Sequence, residues 1–514
     1  MSANELSIGV IGGGTMGRGI VQLFAAAGYR VRCVDAVPGA ALQAADHVGR
    51  ALRRSADKGK LTHAEVDAIS SRIHACDALS QIAGCAIVIE AIVEDLTVKI
   101  DLFRQLEEIV PATAILATNT SSLSVSAIAG GCRHPERVAG LHFFNPVHVM
   151  KIAEIIPGLR TSSATIDDLR TLIAATGHRA VLAADQPGFL VNHAGRGLYT
   201  EGLRILEEQV ADVADIDTLL REAAGFRMGP FELLDLTGLD VSGKVMESIY
   251  EQFHQEPRFR PSSLVRARIA AGLLGRKSAR GWYDYESDTH ASTASQPARS
   301  AQGLRVWIDP DADDRDTIAS LVSAAGGQVR GNAREVDLII VEFWGMDATG
   351  YCAARGLDAR RCVAVDPLPG LTKRRTLMLT AAATAEARDA AASVMSVDAM
   401  PVTVINDSAG FVVQRVLSMI VNIAADIAQR RIATVEDIEA AVTVGLGYPY
   451  GPLTWGDTIG ADRVLMILEN MHATTGDPRY RPSPWLKRRA RLGLSLLSPD
   501  PERVSATATL GGAC

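Results

Sequence analysis

The segment GLHFFNPVHVMKIAEII, residues 140–156, carries three side chains capable of chemistry: His142, Asn145 and Glu154. An imidazole that takes a hydroxyl proton needs a partner on its other ring nitrogen, which fixes the tautomer and stabilises the imidazolium, and a carboxylate can serve. Glu154 follows His142 by twelve residues. A histidine beside two phenylalanines is more often a satisfied core residue, so it is the carboxylate that points toward a general base. Spacing alone does not bring the two into contact.

A second constellation lies near the N-terminus, where the run LSIGVI leads into GGGTMG (residues 12–17) and then into GIVQLFAAAGY. Gly12 permits a tight turn, Gly14 clears the backbone for a pyrophosphate, and Gly17 lets the helix pack on the sheet. The following amides, with Thr15 and Met16 in the loop, face the phosphates from a helix N-terminus. Asp35 closes the next strand 23 residues after Gly12. Its carboxylate suits a ribose 2′-hydroxyl and repels a 2′-phosphate, favouring NAD over NADP. A glycine-rich turn without a ligand is the blander reading.

The elements that position these groups read as follows. LSIGVIG, YRVRCVD, AIVIEAI, AILATNT and RVAGLHF are short β-branched runs alternating with helical patterns, which predicts a parallel, doubly wound α/β sheet over residues 1–186. Residues 187–286 turn helical, and 287–303 are small and polar, a linker composition. Strand patterns return over 304–405 in LRVWID, DLIIVEF, RCVAVD and PVTVIND, followed by a second helical region over 406–514. That second region is a copy of the first, displaced by 222 residues. Gly188 and Phe189 match Gly410 and Phe411, Asp215 and Ile216 match Asp437 and Ile438, and Gly229 and Pro230 match Gly451 and Pro452. Asp235, Gly238 and Asp240 match Asp457, Gly460 and Asp462. In the second α/β unit, PDADDR (310–315) stands at the glycine loop, where three aspartates oppose a pyrophosphate and proline removes a donor. That unit is expected to bind no dinucleotide and to act structurally.

Composition sets the outer bounds. The 514 residues leave room for three or four domains; 47% are hydrophobic and 22% charged, and the net charge is -7. This excludes a disordered chain and disfavours a dedicated nucleic-acid binder. No charged leader precedes an apolar stretch, and Glu90 interrupts CAIVIEAIV, so neither export nor a membrane span is expected. Seven scattered cysteines (33, 76, 85, 132, 352, 362 and 514) suggest reduced thiols in a cytoplasm, with neither a disulfide framework nor a metal site.

In order along the chain, GGGTMG, IEAIVED with Lys99, TNTSS, GLHFFNP, QPGFLVN and MGPFELLDLTGLD resemble the L-3-hydroxyacyl-CoA dehydrogenases over residues 5 to about 285, and weakly again in the second helical copy. With MESIYEQFHQEPRFRPS and a degenerate second half, the chain is similar to the long bacterial form associated with phenylacetate catabolism. The resemblance implies NAD as cofactor and a (3S)-3-hydroxyacyl-CoA substrate, with 3-hydroxyadipyl-CoA or 3-hydroxybutyryl-CoA as the expected acyl groups. It further implies His142 as base, Glu154 as its orienting partner, and Ser121 and Asn192 at the substrate oxygen. Glu94, Lys99, Asn119, Asn145 and Lys277 match cofactor contacts, and Lys58 matches a CoA-binding lysine with Arg53, Arg54 and Lys60 adding charge. Plain alternatives stand beside these. Ser121 could cap a helix, Asn192 could serve a turn, Glu94 and Lys99 could be a solvated helix pair, and the basic run could be a wet face.

Two departures from the family pattern stand out: Ala279 where glycine is usual, and His193 where arginine usually follows the asparagine. In the second copy Gln414 replaces Asn192 and nothing resembles HFFNP, so one active site per chain is expected. Because related enzymes pair through their helical domains, the duplicated copy is expected to form an intrachain pseudo-dimer, with a homo-oligomer also open. An NAD-dependent hydroxyacid or sugar-acid dehydrogenase without CoA, or a non-catalytic NAD-binding protein, are the other classes considered. A fused hydratase is disfavoured, since the two halves leave no further catalytic domain.

Overall fold

The structure is a computed structural model and describes residues 6–286 and 301–501. Most of the expected linker, 287–303, lies outside the described residues, as does Cys514. The first sheet has eight strands: β1 (Ser7–Ile11), β2 (Arg30–Val34), β3 (Ile73–Cys76), β4 (Ile87–Glu90), β5 (Ile115–Thr118), β6 (Val138–Phe143), β7 (Ile152–Pro157) and β8 (Arg179–Leu182). Their order is β3-β2-β1-β4-β5-β6-β7-β8. The central strands are buried on both faces, as their unbroken apolar runs require. The helix Thr15–Ala26 packs Ile20, Val21 and Phe24 into the core on one face.

The sheet is not wholly parallel, because β7 runs antiparallel to β6. This strand is hidden in the sequence by Lys151 just before it and Glu154 within it, which interrupt the apolar run. The reversal has a direct consequence. It sets His142 opposite Glu154 in the ladder, and directly opposed residues of an antiparallel pair project to the same face.

The second sheet has six strands: β9 (Arg305–Ile308), β10 (Gln328–Val329), β11 (Leu338–Glu342), β12 (Cys362–Val365), β13 (Arg375–Leu379) and β14 (Val402–Ile405). Their order is β10-β9-β11-β12-β13-β14, and here too a single pair, β12 with β13, is antiparallel. It is a shortened version of the first.

The helical regions repeat with the same 222-residue displacement. Helices starting at Val213, Pro230 and Leu239 have counterparts starting at Val435, Pro452 and Ala461. The shared residues turn out to be local braces. Asp235 accepts the amides of Trp282 (2.9 Å) and Tyr283 (3.0 Å), and Asp457 accepts that of Leu496 (2.7 Å). Proline opens each of the helices Pro230–Thr237 and Pro452–Ile459, where its missing N–H costs nothing. A Cβ on the preceding Gly229 or Gly451 would strike Asp217 or Glu439, which cap those helices through backbone amides.

The halves interlock. Helix Arg196–Glu207 lies on helix Val412–Gln429, close enough that a Cβ on Gly197 would sit 3.0 Å from the Ile420 backbone. Each half also closes the other's sheet edge. Ala184 N–H donates to Ile432 O (2.8 Å), and Asn406 N–H donates to Val210 O (2.9 Å), the same pair displaced by 222 on both sides. Val412–Gln429 is long and apolar enough to cross a membrane, but 89% of it is buried inside the fold, as befits a core helix.

Candidate active site

Glu154 is fully buried and His142 nearly so. The imidazole Nδ1 lies 2.6 Å from Glu154 Oε2. A carboxylate can only accept there, so Nδ1 carries the hydrogen and Nε2 keeps its lone pair for a substrate proton. The other carboxylate oxygen, Oε1, accepts the amides of Leu190 (2.9 Å) and Val191 (2.7 Å). These two residues lead directly into Asn192. The pair is therefore anchored at once to β6, to β7 and to the loop that delivers the asparagine. Phe144 and Phe189 meet the imidazole edge-on, at 4.4 and 5.8 Å between centroids. Phe189 has φ +48°, a left-handed conformation unusual for an aromatic residue and found mostly where function over-determines the backbone.

Glu94 gathers the TNTSS loop. One of its oxygens accepts from Thr120 Oγ1 (2.6 Å), Ser121 N (3.0 Å), Ser122 N (3.1 Å) and Ser122 Oγ (2.9 Å). Burial opposes its charge, but the Thr120 hydroxyl, Lys99 and the serine donors outweigh that and hold the carboxyl below its ordinary range. Lys99 is no surface helix residue; it is 1% exposed and clamped between Glu90 (2.5 Å) and Glu94 (3.3 Å). Glu90 was missed as a site residue. Its signal was an acid closing an otherwise apolar strand. Its second oxygen accepts Thr118 Oγ1 (2.7 Å). Ser121 is not a helix cap, since Ser124 caps the next helix. Gln252 of the helical region donates to Ser122 O (3.1 Å), joining the loop to the far side of the cleft.

The glycine loop fits a dinucleotide. A Cβ on Gly12 would collide with Ala91 O and one on Gly17 with Gly12 O, whereas nothing lies within 4 Å of the Gly14 position. Gly14 also leaves helix Thr15–Ala26 without a side-chain cap, so its first amides face outward. Asp35 ties the loop to β2, accepting from Gly13 N (2.6 Å) and Val37 N (2.8 Å). Asn119 Oδ1 accepts Phe143 N (2.8 Å), fastening β5 to the residue after His142.

Asn145, Thr15 and Lys58 line one cavity of about 420 Å³. Arg54 and Lys60 join them, as do Arg18, His47 and His148, which sequence reasoning passed over; Arg53 is not in its lining. Lys277 sits on the helical side, paired with Asp240. Ala279 adopts φ +58°, the left-handed turn glycine would take there. Among the described residues no group of three or more His, Cys, Asp or Glu could hold a metal ion.

The second sheet treats the corresponding crevice differently. Asp309, after β9, takes the Tyr351 hydroxyl (2.7 Å) and faces Arg355 (3.4 Å), and Asp313 takes the Trp344 indole N–H (3.1 Å). These side chains bond one another there, and among the described residues a glycine loop beside a His–Glu pair occurs in the first half alone.

An NAD-dependent dehydrogenase is what this fold and site define. A family model for the 3-hydroxyacyl-CoA dehydrogenase NAD-binding domain matches residues 7–186, and its C-terminal-domain model matches twice, at 188–285 and 410–495. The chain belongs to the 3-hydroxyacyl-CoA dehydrogenase family. It is 36% identical to the 3-hydroxyadipyl-CoA dehydrogenase of Escherichia coli K12, over 96% of this chain and 99% of that one. A probable 3-hydroxybutyryl-CoA dehydrogenase of Bacillus subtilis is 40% identical over 54% of this chain and 97% of its own length. The crystal structure of a 3-hydroxybutyryl-CoA dehydrogenase from Escherichia coli K12 superposes with a TM-score of 0.85 at 35% identity, covering 95% of this chain and 99% of that one.

Proposed function

We propose that the chain oxidises (3S)-3-hydroxyacyl-CoA to 3-oxoacyl-CoA, reversibly, at a single site in its first half. The observation that carries this reading is the His142 Nδ1 to Glu154 Oε2 bond of 2.6 Å beside an open glycine loop. NAD, held by Gly12, Gly14, Thr15, Met16, Gly17 and Asp35 with Glu94, Lys99, Asn119, Asn145 and Lys277, supplies the hydride acceptor when bound. His142 takes the 3-hydroxyl proton on Nε2, and Glu154 stabilises the imidazolium that results. Ser121 and Asn192 fix the substrate oxygen from opposite walls of the cleft. Lys58, with Arg18, Arg54 and Lys60 in one cavity, meets the CoA phosphates.

The substrate is 3-hydroxyadipyl-CoA or 3-hydroxybutyryl-CoA, and the enzyme works in the cytoplasm. Its domains run over 1–186, 187–286, 304–405 and 406–514, and the two helical ones form a pseudo-dimer within one chain. The reciprocal Ala184–Ile432 and Asn406–Val210 bonds support that pairing. The deciding assay follows NADH consumption with acetoacetyl-CoA and then 3-oxoadipyl-CoA. Turnover of either is expected, and a preference for one sets the acyl group. Oxidation of free hydroxy acids with no turnover of either thioester would reject the proposal in favour of a CoA-independent dehydrogenase.

A further inference from the structure

The two copies of the helical region differ most where the catalytic asparagine sits. In the second copy one helix runs unbroken from Val412 to Gln429. In the first, the corresponding stretch is a short turn, Val191–Ala194, interrupted at Gly195 before the helix Arg196–Glu207. The interruption is filled from the other half. A Cβ on Gly195 would lie 2.8 Å from Leu446 Cδ1, and one on Gly445 would lie 3.4 Å from both Val191 methyls and 3.5 Å from Ile152 Cδ1.

Gly445 ends a π-helical turn, Ala441–Gly445, present only in the second copy, and such turns in helices often mark functional positions. Across the pseudo-two-fold the sizes reverse. Gly195 corresponds to Leu417 and Leu446 to Ala224, and Ala224 and Leu417 line a small cavity of about 230 Å³. The second half also grips the same loop upstream, through Ala184 N–H to Ile432 O (2.8 Å) and Arg430 to Gln186 Oε1 (3.2 Å).

We infer that Leu446, with Gly445, is a positioning element of the active site: the inactive half wedges the helix break and so sets the placement of Asn192 and of the amides that hold Glu154. This rests on the function proposed above. The degenerate copy would then have a catalytic reason to persist, beyond supplying a fold partner.

The experiment compares the full-length chain with Leu446→Ala, Leu446→Met and, as control, Leu417→Ala, which removes the same volume from the counterpart side of the same interface. Leu446→Ala is expected to lower kcat about ten-fold, the scale of a sub-ångström misplacement, with KM for NADH and NADH binding unchanged. Leu446→Met is expected to restore most of kcat, and Leu417→Ala to lower thermal stability at wild-type kcat. Unchanged kcat in Leu446→Ala, or an equal fall in Leu417→Ala, overturns the inference. Inactivity of the wild-type chain on both thioesters would instead reject the underlying function.

Discussion

The antiparallel strand pair occurs in both halves, but with opposite contents. β6 and β7 oppose His142 to Glu154, whereas at the end of β12 and β13 the Asp366 amide bonds Thr376 O (3.1 Å), and Thr376 is Glu154 displaced by 222. Gln414, which corresponds to Asn192, turns inward to bond Asp366 Oδ1 (2.9 Å), Phe343 O (3.1 Å) and Gly345 N (2.8 Å). Phe189 is strained at φ +48°, but Phe411 relaxes to φ -72°. The braces, by contrast, are kept: Asp185 caps the helix Val125–Gly130, and Asp407 caps Ala348–Arg355. At these positions the second half lacks the His–Glu pair and the strain at Phe189, and what it retains is the means of holding its shape.

The largest effect separates the halves directly. His142→Ala is expected to cut turnover by about 10²- to 10⁴-fold while NADH binding persists, because the base is lost and the glycine loop is untouched. Asp366→Ala, across the ladder from Thr376 in the second half, is expected to leave turnover per folded molecule near wild type. Steady-state kinetics with fluorescence titration of NADH checks both. Comparable losses in the two variants would mean that catalysis is shared and the proposed division wrong.

Strand patterns such as LSIGVI and DLIIVEF are legible because a sheet buried on both faces demands unbroken β-branched runs. β3 and β8 are not, being four residues long with exposed or polar positions, and β10 has only two residues. The 222-residue displacement reads straight from the sequence because capping aspartates and turn glycines have few substitutes. The closeness of His142 and Glu154 does not, since it depends on β7 running backwards, a tertiary decision that its mixed composition conceals. His193, a departure from the family pattern with no account in the sequence alone, takes its reason from its surroundings. It is fully buried, and burial first, then Arg430, Arg196 and Arg258, push its pKa down to about 3.

Arg415 is the counterpart of His193 and sits buried among Glu201 (2.8 Å), Glu208 (2.7 Å), Ser408 (2.8 Å) and Tyr480 (2.9 Å). On the catalytic side the corresponding residues are Ile423, Arg430, Gln186 and, matching PRFRPS at 257–262 to PRYRPS at 478–483, Phe259. No carboxylate faces His193 from these positions, and its ring packs instead on Phe253 (4.9 Å) and Phe259 (5.1 Å). An ion network around Arg415 in one helical copy has its counterpart in an aromatic cluster around His193 in the other. Arg415→Ala leaves buried Glu201 with the Tyr480 hydroxyl (3.0 Å) and the more distant Arg479 (3.7 Å), while Glu208 keeps Arg204 (2.7 Å), and breaking such a buried pair costs about 3 kcal/mol. Thermal and denaturant unfolding should show the loss as early separation or aggregation of the halves. A variant as stable as wild type would count against the helical pairing as the joint between them.

The smallest effect concerns Asp366, whose carboxyl is pushed up to about 7 by burial, against the opposing bonds from Leu368 N and Gln414. Since the folded chain keeps this proton to a higher pH than the unfolded chain does, wild-type stability from this group is intact below the ordinary carboxylate range. It falls as pH rises toward 7 and then levels off. Asparagine imitates the protonated acid in shape and hydrogen bonding. Asp366→Asn is therefore expected to melt above the wild type by a margin that grows from pH 5 to pH 8, by roughly 2–4 °C over that range, as expected for about one kcal/mol gained. Glu154→Gln, with the same chemical change at a position that uses its charge, is not expected to gain stability at pH 8, because Nδ1–H of His142 and two backbone amides already satisfy that carboxylate. If Asp366→Asn gives an equal shift at both pH values, or a loss at pH 8, this acid of the second half is held by its partners as firmly as Glu154, and the halves differ less than their geometry indicates.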